Sequence, residues 1–326
     1  LRVKKILITG ITGLLGSYLA KSYAGEAKLS GLKRPSSSTA LLGDLSTQVQ
    51  WYEGEITDVE LLIEACKDQD LVIHAAGMVS FDESKKEALL KTNAQGTACL
   101  VNAMLSTNCK NLVFISSVAA LGKDNIPIIN ENQKWVNSTM NTPYAISKHL
   151  AELEVWRGAQ EGLEVMVFNP SVLLAKVGDE RSSSQIYRYV LDGHSYYPSG
   201  DINYIDIRDA VSLIHSIITS ESWGSRYIIN KEAVPYEKFF KEMATEFKLT
   251  APKKPLNNWM AKLVVNWSMF YNYFAANKIP ISRQTIQNAQ TKISYDNTKV
   301  NELTNFTYTP LKDTFKWAMS KIKKTA

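Results

Sequence analysis

The chain has 326 residues, a formal net charge of +5 and an apolar fraction of 45%. It is too long for most single compact cores, its hydrophobicity is ordinary for a globular enzyme, and it has no basic cluster interleaved with aromatics that would point to nucleic acid. Its cysteines, Cys66, Cys99 and Cys109, are odd in number and loosely spaced, which argues against a disulfide framework or a metal site. Leu1 opens no signal-peptide pattern, so a reducing cytoplasm is the expected setting.

Val3–Ile8 is a short apolar run that predicts a buried first strand. It leads into Thr9-Gly10-Ile11-Thr12-Gly13-Leu14-Leu15-Gly16 and then a helix from Leu14 to Ala24. Gly10 suits a tight strand-to-helix turn, Gly13 a close approach of backbone to phosphates, and Gly16 close packing of the helix. The helix start offers N–H groups and a positive dipole end to an anion. Gly10, Thr12, Gly13, Leu14, Leu15 and Gly16 are therefore the expected cradle for a dinucleotide pyrophosphate.

A second strand over 27–32 runs into Lys33-Arg34-Pro35. NAD-preferring sites place an acid at this strand end, whereas Lys33 and Arg34 suit a 2′-phosphate, so the charge pattern points to NADP rather than NAD. The third strand ends in Gly54-Glu55-Ile56-Thr57-Asp58, with Asp58 placed to cap a helix over Val59–Cys66. A fourth strand ends at His74-Ala75-Ala76-Gly77. Asn111–Ile115 is a fifth, ending in Ser116-Ser117, where a parallel sheet lines its ligand crevice. Asn125–Thr142 reads as one long loop.

Thr142–Gln160 has helical spacing with Thr142 as cap, and puts Tyr144 and Lys148 one turn apart on one face. An ammonium beside a phenol is expected to lower the phenol's pKa and make it an acid–base group. Arg226–Ile229 has strand character. Trp259–Ala276 is apolar and aromatic but broken by Lys262, Asn266 and Asn272, and is short for a bilayer span; a helix lining the substrate region is expected there. The alternation of strands and helices predicts an α/β Rossmann fold, a doubly wound parallel sheet, with a smaller, discontinuous C-terminal substrate region. The expected division is 1–169 and 202–230 for the dinucleotide domain, and 170–201 and 231–326 for the substrate region.

These segments, together with Thr92-Asn93-Ala94-Gln95-Gly96-Thr97, Asn169-Pro170-Ser171-Val172, Tyr204–Ala210, Tyr295–Lys299 and Phe306–Pro310, resemble the extended short-chain dehydrogenase/reductase family over nearly the whole chain. The resemblance implies Tyr144 as acid/base, Lys148 as its activator, Ser117 (with Ser116 as the fallback) as carbonyl donor and Asn93 in support. It further implies cofactor contacts from Glu55, Ile56, Ala75, Ala76, Gly77, Asn169, Pro170 and Ser171. Within the family, Lys33-Arg34-Pro35, Val79-Ser80-Phe81 and Asn169-Pro170-Ser171 look most like the dihydroflavonol-4-reductase and 3β-hydroxysteroid dehydrogenase branch, implying an apolar ketone or secondary alcohol.

A nucleotide-sugar epimerase with tightly bound NAD is the rival reading, in which Arg181 and Arg208 meet a substrate phosphate. A non-catalytic dinucleotide sensor is a third. Ser80, Phe81, Ser171, Arg181, Tyr187, His194 and Tyr197 are the expected substrate-lining residues. The resemblance also implies a homodimer through the helices carrying Asn93 and Tyr144, while the short, interrupted 259–276 stretch leads us to expect no membrane span.

Overall fold

A computed structural model describes residues 4–123, 126–138, 141–177, 185–257, 259–260 and 283–319. Its strands in chain order are β1 Lys4–Thr9, β2 Ala27–Lys33, β3 Gln50–Glu53, β4 Leu71–His74, β5 Asn111–Ile115, β6 Ile128–Ile129, β7 Glu164–Pro170, β8 Val172–Leu174, β9 Tyr196–Pro198, β10 Asp201–Asp206, β11 Ser225–Ile229, β12 Glu232–Pro235, β13 Lys254–Leu256 and β14 Ser294–Tyr295. The main helices before residue 250 are α1 Leu14–Ser22, α2 Val59–Cys66, α3 Lys86–Leu89, α4 Gly96–Leu105, α5 Pro143–Gln160, α6 Gln185–Leu191, α7 Ile207–Thr219 and α8 Tyr236–Phe247. A π-helical turn over Leu90–Gln95 joins α3 to α4.

Seven strands form one parallel sheet in the order β11-β7-β5-β4-β1-β2-β3. The chain leaves β1 toward β2 and β3, then crosses back to β4, so the order reverses between β1 and β4. That reversal opens a crevice at the carboxyl ends of the strands. Both faces are covered, as a parallel sheet requires. On β1, Ile6 and Ile8 face the core under α1 and α7, while Leu7 faces the core under α2, α4 and α5.

A second body packs beyond the carboxyl ends. Its core joins Tyr187, Tyr204, Phe239, Phe247 and Phe315 around the three-stranded sheet β12-β10-β8. Carboxylates buried at the start of α7 tie in the C-terminal segment. Asp206 caps α7 and accepts from Thr314 Oγ1 at 2.8 Å, and Asp209 accepts from Thr309 N and Oγ1, both at 2.7 Å. Two of the late segments that looked family-like in sequence, Tyr204–Ala210 and Phe306–Pro310, therefore meet in space as a structural clamp.

Helix starts follow the local chemistry. Asp58 accepts from Leu61 N at the start of α2, and Thr142 accepts from Ala145 N at the start of α5, with Pro143 at the first helical position. The 125–142 segment differs from a plain loop: β6 inside it pairs in parallel with β14. A two-residue strand held by a partner so distant in sequence carries no local signal. Beyond residues 259–260, the aromatic 259–276 stretch lies outside the described residues. Among the described residues no helix is long and apolar enough to cross a membrane.

One buried hydrogen-bond chain stitches the strands at the crevice. Thr9 and His74 are register partners on β1 and β4, and Thr9 Oγ1 lies 2.6 Å from His74 Nδ1. His74 Nε2 lies 2.9 Å from Thr97 Oγ1, whose hydroxyl donates to the Asn93 carbonyl at 2.5 Å. Thr97 uses its proton on Asn93, so His74 Nε2 must donate and Nδ1 must accept from Thr9. Burial, reinforced by the Lys148 ammonium, pushes His74 from the ordinary 6.5 down to about 3. The imidazole is therefore neutral throughout the physiological range. Because the unfolded chain binds a proton here below about 6.5 and the folded chain does not until about 3, this group's contribution to stability falls as pH falls through that window. Comparison of wild type with His74→Gln by chemical denaturation at pH 6 and pH 5 is expected to show the wild type losing about 1 kcal/mol more than the variant, the slope of one withheld proton.

Candidate active site

The glycine turn closes β1 onto α1. Gly10 sits at φ +69°, and a Cβ there would meet Ala76 N at 2.5 Å, so the left-handed turn and the neighbouring β4 terminus both require glycine. A Cβ on Gly16 would meet Gly10 O at 2.2 Å, so the first turn of α1 lies directly on the loop. The cradle thus stays open for backbone contact with a ligand.

A cavity of about 890 Å³ runs from this turn across the carboxyl edge of the sheet. Gly13, Leu14, Leu15, Gly16, Ala75 and Gly77 line one end, and Ser116, Ser117, Tyr144, Lys148, Pro170 and Ser171 the middle. These expected residues therefore converge from five separated segments. Gly10, Thr12, Ala76 and Asn169 are not among the residues that line it. Lys33, Arg34, Glu55 and Ile56 sit off the cavity at the ends of β2 and β3.

Tyr144 stands at the start of α5, edge-on to Phe81 with ring centroids 6.2 Å apart. Burial pushes its phenol above the ordinary value, and its interaction with the Ser117 hydroxyl opposes that shift. The expected lowering by Lys148 is not what dominates. Lys148 Nζ donates to the Ile115 carbonyl at 2.7 Å and lies 4.5 Å over the Phe114 ring, so its charge is directed at β5. Burial pushes Lys148 down to about 8, against the Glu152 carboxylate, which favours its charged form. Of the two serines, Ser117 meets the phenol; Ser116 Oγ is buried in the wall with no hydrogen-bond partner among the described residues.

Asn93 is buried behind the site. Its Oδ1 accepts from Met78 N at 2.7 Å, and its Nδ2 donates to Met78 O and to Ser147 Oγ, both at 2.9 Å. It pins the loop after β4 to the helix carrying Tyr144. The π-helical turn over Leu90–Gln95 places Asn93 at this junction.

Sequence reasoning missed the support beneath Lys148. Glu152, one turn further along α5, has a side chain 1% exposed and is paired with Arg226 Nη2 at 2.5 Å. Asn169 Nδ2 donates to Glu152 Oε1 at 2.6 Å and to the Ser117 carbonyl at 2.9 Å. The spacing Tyr144, Lys148, Glu152 was a signal in the sequence; its partner on β11, distant in sequence, was not.

Several expected lining residues are placed elsewhere. Tyr187 is fully buried in the second core, His194 stacks on Tyr189 at 4.4 Å, and Tyr197 packs against that same core. Ser80 caps its own turn by accepting from Asp82 N, whereas Phe81 and Ser171 do line the cavity. Arg181 lies outside the described residues. Arg208 is held by Asp206 and lies 4.2 Å over Trp317, because a buried carboxylate two residues away outcompetes a distant ligand.

At the adenine end, Lys33 pairs with Glu53 at 3.1 Å, while the Arg34 side chain is exposed and has no partner among the described residues. Glu55 is exposed, and Ile56 is buried under α4 against Gly96. The residues present fit a dinucleotide: an open glycine cradle at a helix start, a buried unpartnered serine hydroxyl in the wall, and an unpaired arginine at the β2 end.

The family model described as "NAD dependent epimerase/dehydratase family" matches residues 6–230. A putative dihydroflavonol 4-reductase from Synechocystis sp. is 26% identical over 264 residues, covering 78% of this chain and 75% of the relative. Sterol demethylase protein B from Methylococcus capsulatus is 27% identical over 234 residues, 69% of each chain. Among solved structures, a nucleoside-diphosphate-sugar epimerase from Pseudomonas aeruginosa superposes with a TM-score of 0.80 at 20% identity, covering 100% of this chain and 99% of that one.

The Glu152–Arg226 pair generates a stability prediction. Arg226→Met leaves a buried carboxylate without its counter-ion and is expected to cost about 3–5 kcal/mol by urea denaturation, whereas Glu152→Leu combined with Arg226→Met recovers a large part of that loss.

Proposed function

The chain belongs to the NAD-dependent epimerase/dehydratase family and is an enzyme of the extended short-chain dehydrogenase/reductase type, and from that premise we propose that it interconverts an apolar ketone and its secondary alcohol with NADP. The observation that carries this reading is the convergence of Tyr144, Ser117 and Lys148 in one cavity with the glycine cradle, facing walls built from Val79, Phe81, Val118, Val172 and Leu173. The cofactor, when bound, supplies or takes the hydride.

The protein's own residues handle the proton and the developing charge. In the reducing direction Ser117 and Tyr144 donate hydrogen bonds to the carbonyl oxygen, and Tyr144 delivers its proton as that oxygen becomes an alcohol. A phenol held above its ordinary pKa is protonated at neutral pH, as an acid must be. In the oxidising direction the same phenol must first ionise, so that direction gains rate as pH rises. Lys148, held by Ile115 O and backed by Glu152, would bind the nicotinamide ribose beside Tyr144. Apolar walls exclude water from the proton transfer.

For NADP, the support is the unpaired guanidinium of Arg34 at the β2 end, with Lys33 fixed beside it by Glu53. Against the epimerase reading stands Arg208, whose guanidinium is engaged by Asp206 away from the cavity. The named reductase relative is consistent with ketone chemistry.

Two outcomes test this reading. Tyr144→Phe is expected to lower kcat for reduction of a ketone panel by about 10²–10⁴-fold while NADPH still binds, as followed by quenching of protein fluorescence. Arg34→Ala is expected to cut the NADPH-over-NADH ratio of kcat/KM by about 10–100-fold, the worth of one charge-assisted contact to a phosphate.

A further inference from the structure

The substrate end of the cavity holds a cation that the proposed reaction does not use. Lys123 follows β5 by way of Gly122, where a Cβ would meet Lys134 O at 2.0 Å; the backbone there is pressed onto the 134–135 segment. This close approach fixes the base of the Lys123 side chain. Its ammonium donates to Asn288 Oδ1, on the helix Arg283–Ala289, at 3.2 Å. Lys123, Asn288 and the adjacent Ala289 all line the same cavity as Tyr144.

Among the described residues no carboxylate forms an ion pair with Lys123, and Asn288 is its one hydrogen-bond partner. The other ammonium in the cavity, Lys148, has a carboxylate behind it. Lys123 is half-buried, and that burial pushes it below the ordinary lysine value with no opposing negative group among the described residues. An ammonium has three donor hydrogens, and the Asn288 oxygen takes one. A neutral donor would make the same bond without desolvating a charge, so the charge is unexplained by packing alone. The surrounding walls, including Val118, Ile186 and Phe81, are largely apolar and strengthen any charge–charge contact made there.

Building on the carbonyl–alcohol reading, we infer that the substrate carries an anionic group, a carboxylate or a phosphate, which Lys123 and Asn288 receive while its carbonyl or alcohol carbon lies at Tyr144. The site thus selects an amphipathic molecule: an apolar body, an oxygen at the reacting carbon and an anion at the opposite end. The pyrophosphate of the cofactor is a separate anion, expected at the glycine cradle at the other end of the cavity.

The probes are 4-oxocyclohexanecarboxylate, its methyl ester and UDP, used with wild type, Lys123→Met and Lys123→Arg. With NADPH, wild type is expected to favour the carboxylate over the ester by about 10–100-fold in kcat/KM, the worth of a charge-assisted hydrogen bond. Lys123→Met brings that ratio close to one, and Lys123→Arg restores most of it. A Tm near that of wild type certifies that the methionine variant is folded; if it is not, the arginine variant against an Asn288→Ala variant gives the same ratio. A wild-type ratio near one, a ratio that persists in Lys123→Met, or a loss confined to NADPH affinity overturns the inference while leaving ketone reduction intact. If neither ketone turns over, calorimetry decides. Binding of UDP that Lys123→Met abolishes keeps the anion site and moves the substrate to nucleotide sugars, against the ketone reading. Failure of both UDP and the carboxylate to bind overturns the anion site itself.

Discussion

A single neutral histidine joins the glycine turn of this molecule to the helix that carries Tyr144. His74 sits where the sheet order reverses, accepts from Thr9 at the end of β1 and donates to Thr97 on α4. Thr97 then holds the Asn93 carbonyl, and the Asn93 amide holds both Met78 and Ser147. From Thr9 through His74 and Thr97 to the Asn93 carbonyl the donors all point one way, so that run has one consistent arrangement of protons; the Asn93 side chain then accepts from Met78 N and donates to Ser147 Oγ. Burial makes the uncharged form obligatory, and the like charge of Lys148 reinforces it. The glycine turn, the loop after β4 and the start of α5 are thereby placed relative to one another by hydrogen bonds rather than by packing alone.

The second support lies on the opposite side of α5. Glu152 carries charge into the core, where desolvation disfavours it. Arg226 and Asn169 compensate, and the carboxylate in turn favours the protonated form of Lys148. Because Asn169 also holds the Ser117 carbonyl, one carboxylate orients the lysine and, through the amide, the serine loop. The groups that face the cavity sit on a network in which Glu152 and Lys148 are out of solvent and Arg226 is partly exposed. That arrangement keeps the donors fixed before any ligand arrives, which is what electrostatic stabilisation of a developing oxyanion requires.

Much of the site was legible because its chemistry is locally encoded. The turn from β1 to α1 needs glycine at fixed spacing, and Gly10 at φ +69° with Gly16 against its carbonyl bears this out. The i, i+4 step from Tyr144 to Lys148 and the caps at Asp58 and Thr142 are properties of single helices. Less legible was what a side chain does once several partners compete for it. Lys148 follows its helical spacing yet aims its charge at Ile115 O, leaving burial to set the Tyr144 phenol. Arg208 looked available for a phosphate in sequence, but Asp206 claims it. Tyr187 read as a pocket aromatic and is core.

By itself the sequence determined the alternating strand–helix order, the glycine turn and the helical spacing of tyrosine and lysine, because each depends on residues within a few positions of one another. The tertiary structure alone decided that β6 pairs with β14, that Arg226 reaches Glu152, and that Lys123 meets Asn288. These contacts span about 74 to 166 residues and are set by sheet order and by how the second body seats on the carboxyl edge. No local pattern records them, since the free energy of each contact belongs to two segments that become neighbours only after the chain has folded.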